Sequence, residues 1–277
     1  MGAVAGIGTR AFGSIDAFPD PSHGCAVLLD VRSRKLTTSS SAVAGGTLVA
    51  PGSTLKPLVL AALLKRGKLK PDTAFPCPTR LTIGTRRFDC THPLLPIPVR
   101  ADTALAYSCN CFVAHVAEWF APGELSRELE GLGLASRTGL SNGEAAGRVA
   151  AAATLDSVRM QALGEAGILV TPLELALAYR QLAREIDAPE MQPILAGLEG
   201  AVEFGTARGA RLAGATLAGK TGTTRSPTGD HIAWFAGFVP SRSPETVVAV
   251  MLTGRSGGAD AAPVAARILE AYRSGRV

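Results

Sequence analysis

The sequence predicts an α+β fold in which an antiparallel sheet of about five strands is flanked by helices and carries an inserted all-helical subdomain. Three observations lead to this prediction. Residues 25–31 read C-A-V-L-L-D-V and are followed by a short return over 35–40, which indicates a strand pair near the start of the chain. Three further strand patterns, over 216–220, 232–239 and 246–252, lie near its end. The long segment between them has helical patterning, so both chain ends must supply the sheet.

The helical patterns have recognisable boundaries. Pro51-Gly52 precedes a helix over 53–66, and Thr171 with Pro172 provides the cap and first position of a helix over 172–185. The other predicted helices span 100–120 (in two pieces broken near Tyr107-Ser108), 122–132, 157–163, 192–204 and 261–273. Two irregular regions separate them, the proline-rich segment 71–98 and the glycine-containing segment 139–149.

Length and composition fit one large domain. The 277 residues are 47% hydrophobic and 18% charged, as is typical of a globular chain with a sizeable core. We expect residues 1–22 to form a loose lead-in and residues 23–277 to form the domain, with the helical subdomain over approximately 67–210.

Charge and hydropathy exclude two classes of partner. The net charge of +5 is spread along the chain, and its densest basic run, 65–70, is typical of a solvated helix end, so no nucleic-acid partner is expected. No stretch approaches the ~18 consecutive apolar residues of a membrane span. The N-terminus lacks a basic flank followed by an apolar segment, so no signal peptide is predicted.

The first chemically suggestive stretch is P-G-S-T-L-K-P, residues 51–57. Ser53 and Lys56 are three residues apart at the start of a predicted helix, so their side chains share one face. A lysine surrounded by apolar residues can lose its proton near neutrality and act as the base for a serine nucleophile. The helix dipole would favour a developing oxyanion there. The alternative for this pair is a capping serine beside a surface lysine.

Two further stretches carry polar groups at breaks in the pattern. Ser108 and Asn110 lie in the break between two helical pieces, where a hydroxyl could relay a proton and a carboxamide could hold a substrate amide; the alternative is an ordinary helix cap. Lys220, followed by T-G-T over 221–223, is predicted at a strand end. There the lysine offers positive charge, Thr221 and Thr223 could hold a carboxylate, and the small Gly222 lets a substrate lie along the strand; the alternative is a strand end with a turn glycine.

Together these motifs, in this order, resemble the Ser-x-x-Lys, Ser-x-Asn and Lys-Thr-Gly set of penicillin-binding proteins and serine β-lactamases. The similarity extends over roughly residues 24–273, and is greatest to the class B, elongation-type transpeptidase domains. The segments that carry it are P-G-S-T-L-K-P (51–57), A-Y-S-C-N-C-F (106–112), G-I-L-V-T-P-L-E-L-A (167–176), V-E-F-G-T-A (202–207), A-G-K-T-G-T (218–223) and A-W-F-A-G-F-V-P (233–240).

The resemblance implies a β-lactamase/transpeptidase-like fold and assigns roles to the motif residues. Ser53 would be acylated, Lys56 would accept its proton, and Ser108 would relay a proton to the leaving amine. Asn110 would hold the substrate backbone, and Lys220 would shape the proton network. The substrate carboxylate would be bound by Thr221 and Thr223 beside Gly222, and the backbone N–H groups of Ser53 and Thr223 would form the oxyanion hole.

The implied reaction is D,D-transpeptidation of peptidoglycan stem peptides through an acyl-enzyme that β-lactam antibiotics would also form. It requires no cofactor. The resemblance further implies an extracytoplasmic location at the periplasmic face of the inner membrane, with a glycosyltransferase and the cell-wall synthesis complex as partners. Class B proteins carry a membrane helix and a pedestal domain, and this sequence has neither pattern, so we expect either the soluble part of a longer protein or a stand-alone enzyme.

A cluster of cysteines adds a metal site to these expectations. Elongation-type relatives have a similar Cys…Cys…His…Ser-Cys-Asn run, which implies a structural zinc held here by Cys77, Cys90, His92 and Cys109. The family's histidine lies a few residues later than His92. A Cys77–Cys90 disulfide and buried free thiols are the alternatives.

Other functions are compatible with the same nucleophile. A serine β-lactamase would need a water-activating glutamate after the Ser-x-Asn motif, and no E-x-x-L-N-like segment is found; Glu124, Glu128, Glu130 and Glu144 lie in unsuitable contexts. A D,D-carboxypeptidase would use water in place of the acceptor amine. A non-catalytic β-lactam sensor would be acylated at Ser53 and would signal through a membrane partner.

Overall fold

The computed structural model describes residues 20, 22–38, 40–226 and 228–276. The predicted lead-in over 1–22 lies almost entirely outside these residues. The strands are β1 (Gly24–Asp30), β2 (Leu36–Thr38), β3 (Thr82–Ile83), β4 (Arg86–Arg87), β5 (Arg148–Val149), β6 (Ile168–Leu169), β7 (Ala218–Arg225), β8 (His231–Val239) and β9 (Thr246–Thr253). The α-helices are α1 (Ser41–Gly46), α2 (Lys56–Lys65), α3 (Ala101–Ala106), α4 (Asn110–Ala117), α5 (Glu124–Gly131), α6 (Leu155–Ala162), α7 (Pro172–Glu185), α8 (Gln192–Glu203) and α9 (Ala262–Arg273).

The main sheet has five antiparallel strands in the order β2-β1-β9-β8-β7. The N-terminal pair joins the C-terminal strands through β1, whose Val27 pairs with Ala249 of β9. This confirms the prediction of a sheet assembled from both chain ends. β7 forms one edge and pairs with β8 over its whole length, from Ala218 opposite Phe238 to Arg225 opposite His231.

Both faces of the sheet are buried, and alternation along β9 shows how. Val247, Ala249 and Met251 belong to the core shared with the helical lobe. The alternate residues Val248 and Val250 belong to a second core under α9. Because successive strand side chains point to opposite faces, a strand covered on both sides reads as the continuous apolar run observed here.

The inserted lobe is predominantly helical and contains two short ladders that the sequence did not predict, β3-β4 and β5-β6. The helix that leads into the lobe is α2, which is buried from Lys56 to Leu64. A helix that is apolar on every side has to lie inside the molecule, and α2 therefore holds its first residues in a fixed position between the lobe and the sheet.

Several predicted boundaries need correction. The strand predicted to end at Lys220 continues to Arg225, because the polar residues after Lys220 pair through their backbone with β8. The short helix α1 was not predicted. Helix α7 begins and ends where the sequence indicated, with Thr171 and Glu174 forming a reciprocal capping box. In the described part of the chain, no helix is long and apolar enough to cross a membrane.

Candidate active site

One cavity of about 480 Å³ brings the predicted motifs together. It lies between the first turn before α2, the break between α3 and α4, and the edge strand β7. Its lining residues include all of the predicted catalytic and substrate-binding residues except Lys56 and Lys220, which are completely buried. Those lining residues are Ser53, Ser108, Asn110, Thr221, Gly222 and Thr223.

Ser53 belongs to a 3₁₀ turn, Gly52–Leu55, that leads directly into α2 at Lys56. Side chains three residues apart lie on the same side of a 3₁₀ turn, so Ser53 and Lys56 share one face of it. Two bonds fix this turn from behind. The Tyr179 hydroxyl donates to the carbonyl of Thr54 (2.7 Å), and the indole N–H of Trp234 donates to the carbonyl of Ala50 (3.1 Å).

Lys56 Nζ is the centre of a hydrogen-bond network. It donates to the backbone carbonyl of Ser108 (2.8 Å), to the Ser108 hydroxyl (3.2 Å) and to Asn110 Oδ1 (2.5 Å). The three acceptors match the three donors of an ammonium group. Burial lowers the pKa of Lys56 to about 8, with neighbouring thiols and Glu165 acting in the opposite direction. The amine is therefore readily available as a base near neutral pH.

Ser108 adopts the left-handed conformation, with φ of +57°, in the turn between α3 and α4. This conformation is uncommon outside glycine, asparagine and aspartate, and here it directs the residue toward Lys56. The cap of α4 is Cys109, whose sulfur accepts from the N–H of Phe112, so Ser108 does not fill the alternative role of capping residue. Asn110 Nδ2 donates to the carbonyl of Phe88 (2.9 Å), which orients its oxygen toward Lys56.

The Lys-Thr-Gly segment lies within β7 and not at its end. Gly222 packs so closely on the Ser53 turn that a Cβ would lie 2.8 Å from the carbonyl oxygen of Pro51. The glycine therefore allows strand and turn to touch, a reason that the sequence analysis did not anticipate. Thr221 donates to Thr206, and Thr223 Oγ1 accepts from the N–H of Gly257.

Lys220 lies beneath the cavity wall. Its Nζ donates to the carbonyl of Thr221 (3.0 Å). Burial, and then the charge of Lys56, hold the pKa of Lys220 well below its usual range. A neutral Lys220 is expected from this environment, because two buried ammonium groups in one site would repel each other.

The structure adds Glu165 to the cavity, a residue that sequence reasoning missed. It follows Gly164, whose carbonyl accepts from the N–H of Gly52 (2.9 Å) directly before Ser53. Burial raises the pKa of Glu165, against the opposing charges of Arg86 and Lys56. It is not one of the glutamates named above for a water-activating role, which were Glu124, Glu128, Glu130 and Glu144.

The predicted metal ligands form a compact cluster beside this site. The donor atoms of Cys77, Cys90, His92 and Cys109 all lie within 4.8 Å of one another. The Sγ–Sγ distances are 3.7 Å for Cys77–Cys90, 3.7 Å for Cys90–Cys109 and 3.4 Å for Cys77–Cys109. At these separations no disulfide bond joins these sulfurs.

The cluster fits zinc. Two sulfur ligands of a tetrahedral zinc, each bonded at about 2.3 Å, lie about 3.8 Å apart, close to the separations found here. His92 Nε2 is 3.7 Å from Cys77 Sγ, while Nδ1 lies 2.8 Å from the carbonyl of Pro93. That carbonyl fixes the tautomer that leaves Nε2 free for a metal. Cys111 lies at the margin, 3.5 Å from Cys90.

The sheet, the inserted lobe and a serine–lysine turn facing an edge strand together define the transpeptidase class of fold. Residues 24–270 match the penicillin-binding protein transpeptidase domain family, and the chain belongs to this family.

A curated relative supports the same assignment. The chain is 26% identical over 253 residues to the probable peptidoglycan D,D-transpeptidase PenA of Neisseria flavescens, an alignment that covers 78% of this chain and 62% of the relative. The chain therefore spans less than two thirds of that protein's length.

Solved structures share the fold at low sequence identity. The penicillin-binding protein PBP2 of Helicobacter pylori, solved in complex with MreC, has a TM-score of 0.80 at 17% identity, covering 92% of this chain and 61% of that chain. PBP2 of Pseudomonas aeruginosa, in complex with WCK 5153, has a TM-score of 0.78 at 20% identity, with 90% and 71% covered. A putative peptidoglycan glycosyltransferase from Atopobium parvulum DSM 20469 has a TM-score of 0.79 at 18% identity, with 92% and 72% covered.

Proposed function

We propose that the chain is a serine D,D-transpeptidase domain that cross-links peptidoglycan stem peptides through an acyl-enzyme on Ser53. The observation that carries this proposal is the position of the buried Lys56 amine, one turn from Ser53 and in contact with both Ser108 and Asn110. A desolvated amine next to a serine, with a second hydroxyl within reach, is the arrangement that acyl transfer requires.

In the proposed acylation, neutral Lys56 takes the hydroxyl proton of Ser53 as Oγ attacks the carbonyl carbon of the D-Ala-D-Ala bond. The C–N bond then breaks, and the Ser108 hydroxyl, which Lys56 contacts, passes a proton to the leaving D-alanine amine. Backbone N–H groups of Ser53 and Thr223 stabilise the oxyanion, each by on the order of 3 kcal/mol. The close packing of Gly52 on the Thr223 carbonyl supports this pairing of turn and strand.

The remaining polar groups would bind the substrate. Asn110 holds the donor backbone, and Thr221 and Thr223 on the edge strand bind its terminal carboxylate beside Gly222. Neutral Lys220, buried beneath Thr221, completes the proton network. A β-lactam, whose strained amide mimics the same bond, would acylate Ser53 in the same way.

We also propose that Cys77, Cys90, His92 and Cys109 hold a structural zinc. A bound zinc would cross-link the segment 77–92 to the turn before α4. Cys109 lies between Ser108 and Asn110, so its anchoring would fix the two residues that contact Lys56. Catalysis itself requires no cofactor in this proposal.

Membership of the family supports a proposal about the cellular setting. We infer an extracytoplasmic location, at the periplasmic face of the inner membrane, where stem peptides and β-lactams are encountered. The Helicobacter pylori relative was solved with MreC. By analogy, a glycosyltransferase and other members of the cell-wall synthesis complex are proposed as partners.

Product analysis tests this function against its alternatives. The protein is incubated with a pentapeptide ending in D-Ala-D-Ala and a primary-amine acceptor, and the products are resolved by mass. Release of D-alanine with formation of the cross-linked amide is expected. Release of D-alanine with only the shortened peptide would identify a carboxypeptidase. No release combined with lasting β-lactam acylation would identify a sensor, and rapid β-lactam turnover would identify a β-lactamase.

A further inference from the structure

Glu165 is an under-bonded carboxylate facing the cavity. Its side chain is 22% exposed, and its one ion pair with a described residue is with Arg86 at 3.5 Å, longer than a typical hydrogen bond. A largely buried carboxylate normally accepts several hydrogen bonds. Among the described residues only Arg86 pairs with this carboxylate, which also lines the cavity, so its oxygens are accessible to a group that enters there.

Two other glutamates show what a purely structural carboxylate looks like in this chain. Glu144 accepts from four backbone N–H groups, those of residues 138–141. Glu174 accepts from the N–H groups of Ser136, Gly147 and Thr171. The carboxylates of Glu144 and Glu174 are therefore fully occupied by backbone donors, whereas Glu165 receives no hydrogen bond from the described residues.

The position of Glu165 is fixed on both sides. On one side, Gly164 is packed against Gly52 so tightly that a Cβ would lie 2.2 Å from the Gly52 oxygen. On the other side, Arg86 of the β3-β4 hairpin stacks over the ring of Phe88 at 4.8 Å. The backbone that carries Glu165 is thus packed directly against the turn that carries Ser53.

The cavity wall gives this carboxylate a distinct chemistry. Among the described residues that line the cavity, the rest are hydroxyl, amide, apolar or glycine residues, and Glu165 alone carries an acid or base. A group that enters the cavity with a positive charge would find its counter-ion there. The acceptor stem peptide, which receives the acyl chain, carries a positively charged group of this kind, a primary ammonium.

We propose that Glu165 binds the primary ammonium of the acceptor peptide and selects an amine over water as the second substrate. The inference rests on the proposed transpeptidase function. The ammonium gives one proton to the Glu165 carboxylate, and the freed lone pair attacks the acyl carbon on Ser53. The N–C bond forms, the C–Oγ bond breaks, the second amine proton passes to Ser53 Oγ, and Glu165 then loses its proton to solvent.

The test measures how one acyl-enzyme is partitioned between competing nucleophiles. Wild type, Glu165→Gln and the control Glu185→Gln are supplied with an acyl-D-alanine thioester, together with D-alaninamide as the charged acceptor or methanol as the neutral one. Glu185 is ion-paired with Lys65 away from the cavity. The ratio of aminolysis or methanolysis to hydrolysis is independent of how fast the acyl-enzyme forms, so a change in acylation does not affect the readout.

We expect Glu165→Gln to raise the D-alaninamide concentration for half-maximal aminolysis about tenfold, as for the loss of one charge-assisted hydrogen bond, with the methanol ratio unchanged. Equal aminolysis ratios in all three proteins would overturn the role of Glu165 while leaving the transpeptidase function standing. Loss of hydrolysis and methanolysis along with aminolysis would also overturn it, since the carboxylate would then activate any nucleophile. Failure of wild type to form an acyl-enzyme would overturn both proposals.

Discussion

At the scale of single residues, the environment of Lys56 decides what the site can do. Its amine is completely buried, and its acceptors are the Ser108 carbonyl, the Ser108 hydroxyl and Asn110. Burial lowers the pKa of this amine to about 8, while the charges of the neighbouring thiols and of Glu165 act to raise it. The residue is thus close to the balance point where a base can both take a proton and return it.

The pH dependence of acylation follows from this balance. Ser53 requires Lys56 in its neutral form, and the neutral fraction rises about tenfold per pH unit below the pKa and levels off above it. The second-order rate of acylation by a penicillin should therefore increase from pH 6, bend near pH 8 and reach a plateau. Stopped-flow rates across this range check the prediction, and a rate that falls as pH rises would exclude Lys56 as the base.

Sequence reasoning at this scale succeeded for residues linked by short spacing and failed for residues joined by the fold. Ser53 and Lys56 could be paired because three residues fix their relative direction. Glu165 could not be found, because its approach to Ser53 depends on a contact between Gly164 and Gly52 that no local pattern encodes. Its partner Arg86 lies on a two-residue strand without periodicity.

At the scale of elements, the cavity depends on three backbone segments that pack without side chains between them. The Ser53 turn touches β7 through Gly222 and touches the 164–167 turn through Gly164. Glycine is required at both contacts because any Cβ would overlap a backbone oxygen. The sequence predicted that Gly222 leaves space for substrate. The structure shows a second reason for a glycine at this position, its close contact with the Ser53 turn.

A matched pair of glycine substitutions separates packing from backbone strain. Gly164 and Gly143 both have φ of +72°, but a Cβ at Gly164 would meet the Gly52 oxygen at 2.2 Å, whereas at Gly143 it would meet nothing within 4 Å. Gly143→Ala should lower the free energy of unfolding by about 1–2 kcal/mol, the cost of a left-handed residue. Gly164→Ala should lower the free energy of unfolding by about 1–3 kcal/mol more than Gly143→Ala, because the added Cβ overpacks the contact. It should also slow acylation, because the contact with Gly52 positions Ser53.

Urea unfolding and the acylation rate of the two glycine variants provide the measurement. Gly164→Ala should have both a lower free energy of unfolding and a slower acylation rate than Gly143→Ala. Equal losses of stability, together with equal acylation rates, would mean that the contact between the two turns does not position the nucleophile.

The turn between α3 and α4 yields a prediction about the metal. Cys77→Ser should remove bound zinc, measured by elemental analysis, and should lower the melting temperature, because the 77–92 segment loses its tie to Cys109. Cys25→Ser is the control, because Cys25 lies in β1 and is not one of the four proposed ligands. Burial raises the pKa of the Cys25 thiol to about 12. Cys25→Ser should keep its zinc. Wild-type protein without zinc, unaffected by a chelator, would contradict the proposed site.

At the scale of the whole molecule, the fold could be predicted because the two ends of the chain and its middle have different hydrophobic periodicities. The apolar runs at both ends indicated strands, and the long helical middle indicated an insertion. Details that depend on pairing could not be read from the sequence. Strand β7 continues through T-G-T-T-R, residues without an apolar strand pattern, because β8 supplies hydrogen bonds along its full length. The β5-β6 ladder likewise depends on a long-range pairing, whereas β3-β4 is a local hairpin whose two-residue strands are too short to show alternation.

The central claim is that Ser53 carries the acyl group, and intact-protein mass after exposure to penicillin tests it most directly. Wild type should gain the mass of one penicillin and keep it over the time course, while Ser53→Ala should gain none. Acceptance of the same adduct by Ser53→Ala would contradict the claim, and so would an unmodified wild-type mass throughout. A transient adduct with steady consumption of penicillin would keep Ser53 as the nucleophile but contradict the assignment as a transpeptidase.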